Sequence, residues 1–404
     1  MFSLHSNFVH NNTGMKSLTL RKSLPVLFLL LCALVNPAAW SQTVIPQFLA
    51  ANSTPPQPEA NSWVLLESNT GWVLASHNEH LVVEPASLTK LMTAYLAFEA
   101  LESGKIRASD SVYISEKAWK APGSRMFLKV DTSATIGELL NGLIIQSGND
   151  AAIALAEQIG GSESGFANLM NDTAARLGMR NSHYVNSSGL PAEGHVTTAY
   201  DTAILSRALI ETYPDMYALF AVREYTYNEI TQPNRNKLLW RDDSYDGLKT
   251  GHTKAAGYCL AGSAQRDNTR FIAVVMGAKS NTSRVQGVGA LIEYGFSQYE
   301  TVTALSPSEP RSLDLYKGEH PVAEVGSMEP ISVLLPKGQR SGLQVDYDLP
   351  DRLVAPLSTL DRVGQAHISF NGNPIGHVEL KPLQNYETGP IWSQLIDTVK
   401  MKIF

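Results

Sequence analysis

Glu84-Pro85-Ala86-Ser87-Leu88-Thr89-Lys90-Leu91-Met92-Thr93 is the stretch on which the reading of this chain turns. Proline suits a first helical turn, where its missing N–H would have no partner anyway, so Pro85 opens a helix. Leu88, Leu91, Met92, Tyr95 and Leu96 then recur at the spacing of one buried face. Ser87 and Lys90 fall three apart in the first turn, which puts both side chains on one side. The helix N-terminus favours negative charge building at Ser87. A lysine that is partly neutral beside a serine hydroxyl is a base beside its nucleophile, and burial or a second nearby cation would supply that neutral fraction. Alone the pattern is weak, since four residues with two fixed positions arise about once by chance in a chain of this length.

Two more short polar motifs lie further along. Ser147-Gly148-Asn149 begins 60 residues after Ser87, in a break between helical patterns over 136–145 and 151–159. Lys249-Thr250-Gly251 begins 102 residues after Ser147, at the expected start of a strand. The β-rich runs 258–263 and 270–276 follow it, joined by a polar turn at 265–268. Upstream, 63–67 and 72–76 flank Ser68-Asn69-Thr70-Gly71 as a hairpin. A further helical pattern covers 285–294. From about Val302, prolines and glycines punctuate short alternating stretches at 331–335, 342–347, 366–370 and 377–380, the pattern of a small all-β domain. Finally Ile391, Trp392, Leu395, Ile396, Val399, Ile403 and Phe404 share one side of a helix, opposite Gln394, Asp397, Thr398 and Lys400.

The 404 residues suit two or three domains, and 44% hydrophobic with 17% charged residues is ordinary globular composition. That excludes a disordered, collagen-like or polytopic membrane chain. Net charge is −6, and −9 once the first 41 residues, which hold Lys16, Arg21 and Lys22 and no acid, are set aside. A nucleic-acid partner needs a basic face and is not expected. Cys32 and Cys259 give no disulfide framework, and Cys259 reads as a small core residue. The ten histidines sit singly, with no zinc-ligand spacing, so no metal and no cofactor is expected. Residues 15–41 read as an export signal: a basic start, a 12-residue apolar run from Leu24 to Val35, and Ala39-Trp40-Ser41 as the cleavage region. The run is too short to span a bilayer core, which takes about 20 residues. Expected segments are a signal at 1–41, a loosely packed lead-in at 42–60, a catalytic domain at 61–300, a β-rich domain at 301–387 and an amphipathic helix at 388–404.

Taken in order, the three motifs make coincidence improbable. The sequence resembles the penicillin-recognising serine acyl transferases, and most closely the low-molecular-mass D-alanyl-D-alanine carboxypeptidases. The likeness is carried by 84–93, by Gln146-Ser147-Gly148-Asn149-Asp150-Ala151, by Asn234-Arg235-Asn236 with Leu238-Leu239-Trp240, and by Asp246-Gly247-Leu248-Lys249-Thr250-Gly251-His252-Thr253. It implies an α/β (α+β) transpeptidase/β-lactamase-like domain, with an antiparallel sheet and a helical cluster, followed by a small all-β sandwich and the C-terminal helix. It implies that Ser87 attacks the amide between the two terminal D-alanines, that Lys90 takes its proton, and that Ser147 with Lys249 relays a proton to the departing amine. Asn149 would hold the peptide and position Lys90. The N–H groups of Ser87 and His252, beside Gly251, would form the oxyanion hole, and Thr250, Thr253 and Arg284 would receive the free carboxylate.

The partners implied are the peptidoglycan stem pentapeptide, β-lactams as covalent inhibitors, and the periplasmic face of the inner membrane through the C-terminal helix. Two departures from the family pattern stand out: a short 118–126 segment, and one residue fewer between Arg235 and Lys249, which leaves the role of Arg235 open. The alternatives are a D,D-endopeptidase, a β-lactamase, or an idle wall-binding scaffold.

Overall fold

A six-stranded sheet runs through the first domain of the computed structural model, in the order Thr43–Val44, Trp72–His77, Ser62–Glu67, Thr269–Ala278, Gly257–Arg266, Tyr245–Thr253. All neighbours are antiparallel except the first pair. Side chains alternate across a strand, and here both faces are covered. Val64, Leu66, Ile272, Val274 and Met276 enter one core with the helical cluster. Trp63, Leu65, Phe271, Ala273 and Val275 enter another, beneath the helix Asn281–Gln298 through Val288, Leu291 and Ile292. The structure describes residues 43–44, 49–51 and 53–403; the expected export signal and Phe404 lie outside the described residues.

The stretch that opened the sequence reading forms a 3₁₀ turn, Ala86–Thr89, that runs into the helix Lys90–Glu102. One apolar face was expected, but every residue from Lys90 to Phe98 is buried. The reason is its central place: helices Ile136–Ile144, Asn149–Gly160, Glu163–Arg176 and Ala199–Thr212 all pack on it, and a helix buried all round carries no clean polar stripe. Thr135 and Glu138 form a reciprocal cap at the start of Ile136–Ile144, which fixes where the following corner falls. The next helix starts at Asn149, two residues earlier than the apolar pattern suggested, so Asn149 sits in a first helical turn rather than in the break.

The last sheet strand differs too. It was expected to start at Lys249, but it runs Tyr245–Thr253, because Tyr245, Gly247 and Leu248 already pair with Ala264, Ser263 and Gly262. Cross-strand pairing carries the strand back to the turn at Asp242-Asp243-Ser244. Lys249 therefore projects from mid-strand.

In the second domain a six-stranded sheet, in the order Leu343–Asp348, Gly364–Phe370, Asn373–Pro382, Val322–Gly326, Arg311–Tyr316, Arg352–Val354, accompanies the pair Tyr299–Leu305 and Ile331–Pro336. Where the 42–60 lead-in is described around 49–51 it is docked rather than loose: Leu49 is fully buried with Leu335 and Phe370, and the Ala51 N–H donates to Tyr299 Oη at 2.9 Å. Helix Ile391–Ile403 is tied back where Asp397 accepts from the Lys317 N–H at 2.7 Å, while Ile391, Trp392, Leu395, Ile396 and Val399 are each more than half exposed. Among the described residues no helix is long and apolar enough to cross a membrane.

Candidate active site

Ser87, Lys90, Ser147, Asn149 and Lys249 meet where the 3₁₀ turn, the 147–149 corner and the 245–253 strand converge. Lys90 is 1% exposed, and its Nζ has three neighbours: Asn149 Oδ1 at 2.6 Å, the Ser188 carbonyl at 2.6 Å and Ser87 Oγ at 3.2 Å. Two short bonds fix two amine hydrogens. The third and longest contact faces the serine hydroxyl, so in the neutral amine the lone pair points at Ser87. Burial lowers the Lys90 pKa from its ordinary value to about 7, and the Arg235 charge pushes the same way against Asp150. Lys249 donates to Ser147 Oγ at 2.8 Å, and burial followed by the charges of Lys90, Arg235 and Arg284 holds its pKa well below the usual lysine range.

Backbone strain concentrates here. Ala86, just before the serine, and Ser147 have φ of +47° and +59°, a left-handed conformation that side chains other than glycine, asparagine and aspartate rarely adopt. Each such residue costs on the order of 1–3 kcal/mol and persists only where its surroundings hold it. Gly251 shows how close the strand comes to the turn: a Cβ there would lie 3.0 Å from the Pro85 carbonyl oxygen and 3.2 Å from Ser87 N. Gly189 allows the 185–189 loop a similar approach. A Cβ at its φ of +83° would collide with the Ala86 carbonyl.

The remaining expected residues are less uniform. Thr253 Oγ1 accepts from the Ala256 N–H at 2.9 Å and donates to Glu84 at 3.4 Å, and the Lys249 amine donates to the Thr250 carbonyl at 3.2 Å. His252 lies against Tyr258, ring centroids 4.1 Å apart. Arg284, just ahead of the helical pattern read over 285–294, lies in the first turn of Asn281–Gln298. Its Nη1 donates to the Gly251 and Cys259 carbonyls at 2.7 and 3.0 Å, and its Nε to Asn281 Oδ1 at 3.0 Å. That leaves Nη2 as the atom with which it would reach a carboxylate. Cys259 is fully buried beside it, and its thiol pKa is raised to about 11 by burial. Arg235, left open by the sequence, donates from Nε to the Gln146 carbonyl at 3.3 Å.

Sequence reasoning missed the loop that supplies the Ser188 carbonyl. No side-chain pattern could mark it, because the ligand is backbone. The loop is tied to the Ala86–Thr89 turn through His195, whose Nδ1 accepts the Val185 N–H at 3.0 Å. That requires the Nε2–H tautomer, which donates to Thr89 Oγ1 at 2.8 Å. Burial, with His183 and Lys90 pushing the same way and Glu163 opposing, keeps that imidazole neutral by lowering its pKa to about 4. Asp150 was in plain view after Asn149: it accepts the N–H groups of Met126 and Leu128 and anchors the opposite wall.

Comparison with known proteins covers both domains. Residues 49–280 match the model of a family described as D-alanyl-D-alanine carboxypeptidase, and residues 299–388 match the C-terminal domain of penicillin-binding protein 5. The D-alanyl-D-alanine carboxypeptidase DacC of Escherichia coli K12 is 38% identical over 92% of this chain and 96% of its own. The crystal structure of penicillin-binding protein 5 from Haemophilus influenzae superposes with a TM-score of 0.73 at 35% identity, covering 83% of this chain and 99% of that one. Penicillin-binding protein D2 of Listeria monocytogenes, in a cefotaxime-bound form, superposes with a TM-score of 0.56 at 30% identity, over 60% of this chain and all of its own.

Proposed function

Starting from a chain that belongs to the D-alanyl-D-alanine carboxypeptidase family, with a penicillin-recognising α/β domain and a C-terminal β domain, we propose how its own residues remove the terminal D-alanine from peptidoglycan stem pentapeptides. Neutral Lys90 accepts the proton of Ser87, and Ser87 Oγ bonds to the carbonyl carbon of the penultimate D-alanine. The tetrahedral oxyanion is held by the Ser87 and His252 N–H groups, where losing one such donor costs on the order of 3 kcal/mol of barrier. The C–N bond then breaks as Ser147, bonded to the Lys249 amine, passes a proton to the leaving D-alanine. The proton taken from Ser87 passes from Lys90 through Lys249 to replace the one Ser147 gave up, which leaves Lys90 neutral. Lys90 then takes a proton from the attacking water and returns it to Ser87 Oγ as the acyl bond breaks.

Asn149 holds Lys90 in place and contacts the stem. Thr250, Thr253 and the Nη2 of Arg284 receive the free carboxylate, with Arg235 adding positive field. β-Lactams acylate the same serine. The observation that carries this reading is the Lys90 environment, in which two fixed acceptors aim the third direction at Ser87 while burial keeps half the amines neutral near pH 7.

The exposed apolar side of Ile391–Ile403 supports a second part of the proposal: an exported protein lying on the periplasmic face of the inner membrane, the helix lying in the interface. One experiment tests both parts. A form ending at Pro390 is incubated with pentapeptide and with penicillin while product masses are followed, and both forms are tested for flotation with anionic vesicles. The expected result is D-alanine release and a stable penicillin adduct with both forms, and flotation of the full chain only. Rapid penicillin turnover without D-alanine release would favour a β-lactamase. No turnover of either would favour an idle scaffold, and flotation of the truncated form would remove the anchor.

A further inference from the structure

One wall of the cleft carries a feature that the acyl-transfer steps do not use. Residues 122–128 are pinned to Asn149 and Asp150 by four hydrogen bonds. Asn149 N–H donates to the Ser124 carbonyl at 2.7 Å and Asn149 Nδ2 to the Pro122 carbonyl at 2.6 Å. Met126 and Leu128 N–H donate to the two oxygens of Asp150 at 3.0 and 3.1 Å. Met126 is fully buried against Gly142, so its neighbours Arg125 and Phe127 turn outward.

Phe127 has φ +69° and is 42% exposed, a bulky residue held in the left-handed region and presented to solvent. The Arg125 guanidinium lies 5.6 Å from its ring centroid. From the other side Gln232, in the strand Ile230–Pro233, donates to the Arg125 carbonyl at 3.1 Å. The partner strand Glu224–Tyr227 accepts at the Tyr225 carbonyl from Gln146, the residue before Ser147. Arg125 thus stands where the corner, the 122–128 wall and this hairpin meet, and it makes no ion pair among the described residues. Strain held by so many bonds, to display an aromatic ring beside an unpaired cation, belongs to a binding surface rather than to a core.

The direction of a bound stem says what that surface meets. In the reading above, on which this inference rests, the terminal carboxylate lies at the 250–253 end. The acyl part therefore leaves Ser87 the opposite way, past the 147–149 corner and out over 124–127. We infer that Arg125 and Phe127 form the subsite for the third stem residue, and that Arg125 selects a diamino acid carrying a side-chain carboxylate, of the diaminopimelate kind, over a lysine. The guanidinium fork pairs with that carboxylate, and the methylene chain lies on the Phe127 ring.

The test uses two pentapeptides that differ only at the third residue, diaminopimelate or lysine, with the full chain, R125Q and R125E. Arg125 is exposed, so both variants are expected to fold. The full chain is expected to prefer the diaminopimelate peptide in kcat/KM by about tenfold, the size of one charge-assisted contact at a partly exposed site. R125Q brings the ratio near one, chiefly through KM, and R125E inverts it. Acylation by 6-aminopenicillanic acid, which lacks the acyl side chain and so has no group at that position, is unchanged in all three. An unchanged preference in R125Q, or no preference in the full chain, overturns the inference alone. Release of D-alanine from neither peptide by the full chain would take down the carboxypeptidase reading as well.

Discussion

Ser87→Ala is expected to end both D-alanine release and covalent labelling by a fluorescent penicillin, a loss on the order of 10⁴-fold or more, because among the described residues no other hydroxyl is bonded to the Lys90 amine. The fold should survive. Lys90 keeps its two short bonds to Asn149 and to the Ser188 carbonyl, and only a half-buried hydroxyl is removed. The thermal midpoint is therefore expected within a few degrees of the parent, so that inactivity reports chemistry rather than unfolding. Retained labelling in this variant would take the nucleophile role from Ser87.

Lys90→Met tests the partner, with a second and opposite signature. Acylation is expected to fall by about 10³-fold, within the range for loss of a general base, while stability holds or rises. The sign follows from linkage. The folded pKa of about 7 lies below the unfolded value near 10.5, so between these pH values the unfolded chain holds the proton longer. The parent's stability accordingly rises with pH across that window and is lowest, as far as this group is concerned, below pH 7. Methionine removes the burden of an amine in a dry site and keeps the volume, at the expense of two acceptors left without a donor. Lys249, held below the ordinary lysine range by the same burial, adds a slope of the same sign. The Lys90→Met curve is therefore expected to climb less steeply than the parent's between pH 7 and 10.5, and an unchanged slope would mean that none of it comes from Lys90.

How much of this was legible in the sequence follows from what each signal measures. Ser87 with Lys90, and Ser147 with Asn149, were readable because each pair is local, and the hairpin around Gly71 because turn chemistry is local as well. Lys249 could be matched by its motif but not placed. Its strand begins at Tyr245 only because Gly257–Arg266 lies alongside to pair with it, and no local pattern carries that information. The Lys90–Glu102 helix looked one-sided because apolar spacing cannot distinguish a helix on a surface from one enclosed by four others. Leu49 stands in the short apolar run Phe48-Leu49-Ala50-Ala51, too short to show what it packs on, and its burial depends on Leu335 and Phe370, about 300 residues away. Arg284 was read as a carboxylate receptor by its position in a motif. That two of its nitrogens are engaged by Asn281 and by strand carbonyls appears only in three dimensions.

The central claim is that a neutral Lys90 draws the proton from Ser87, and the pH profile of the acylation rate with a β-lactam tests it most directly. The rate constant should rise tenfold per pH unit through the acid range and level off around pH 7, where burial has brought the amine's pKa. A rate that stays flat from pH 5 to 9, or that goes on rising with pH toward the ordinary lysine range near 10.5, would contradict the account.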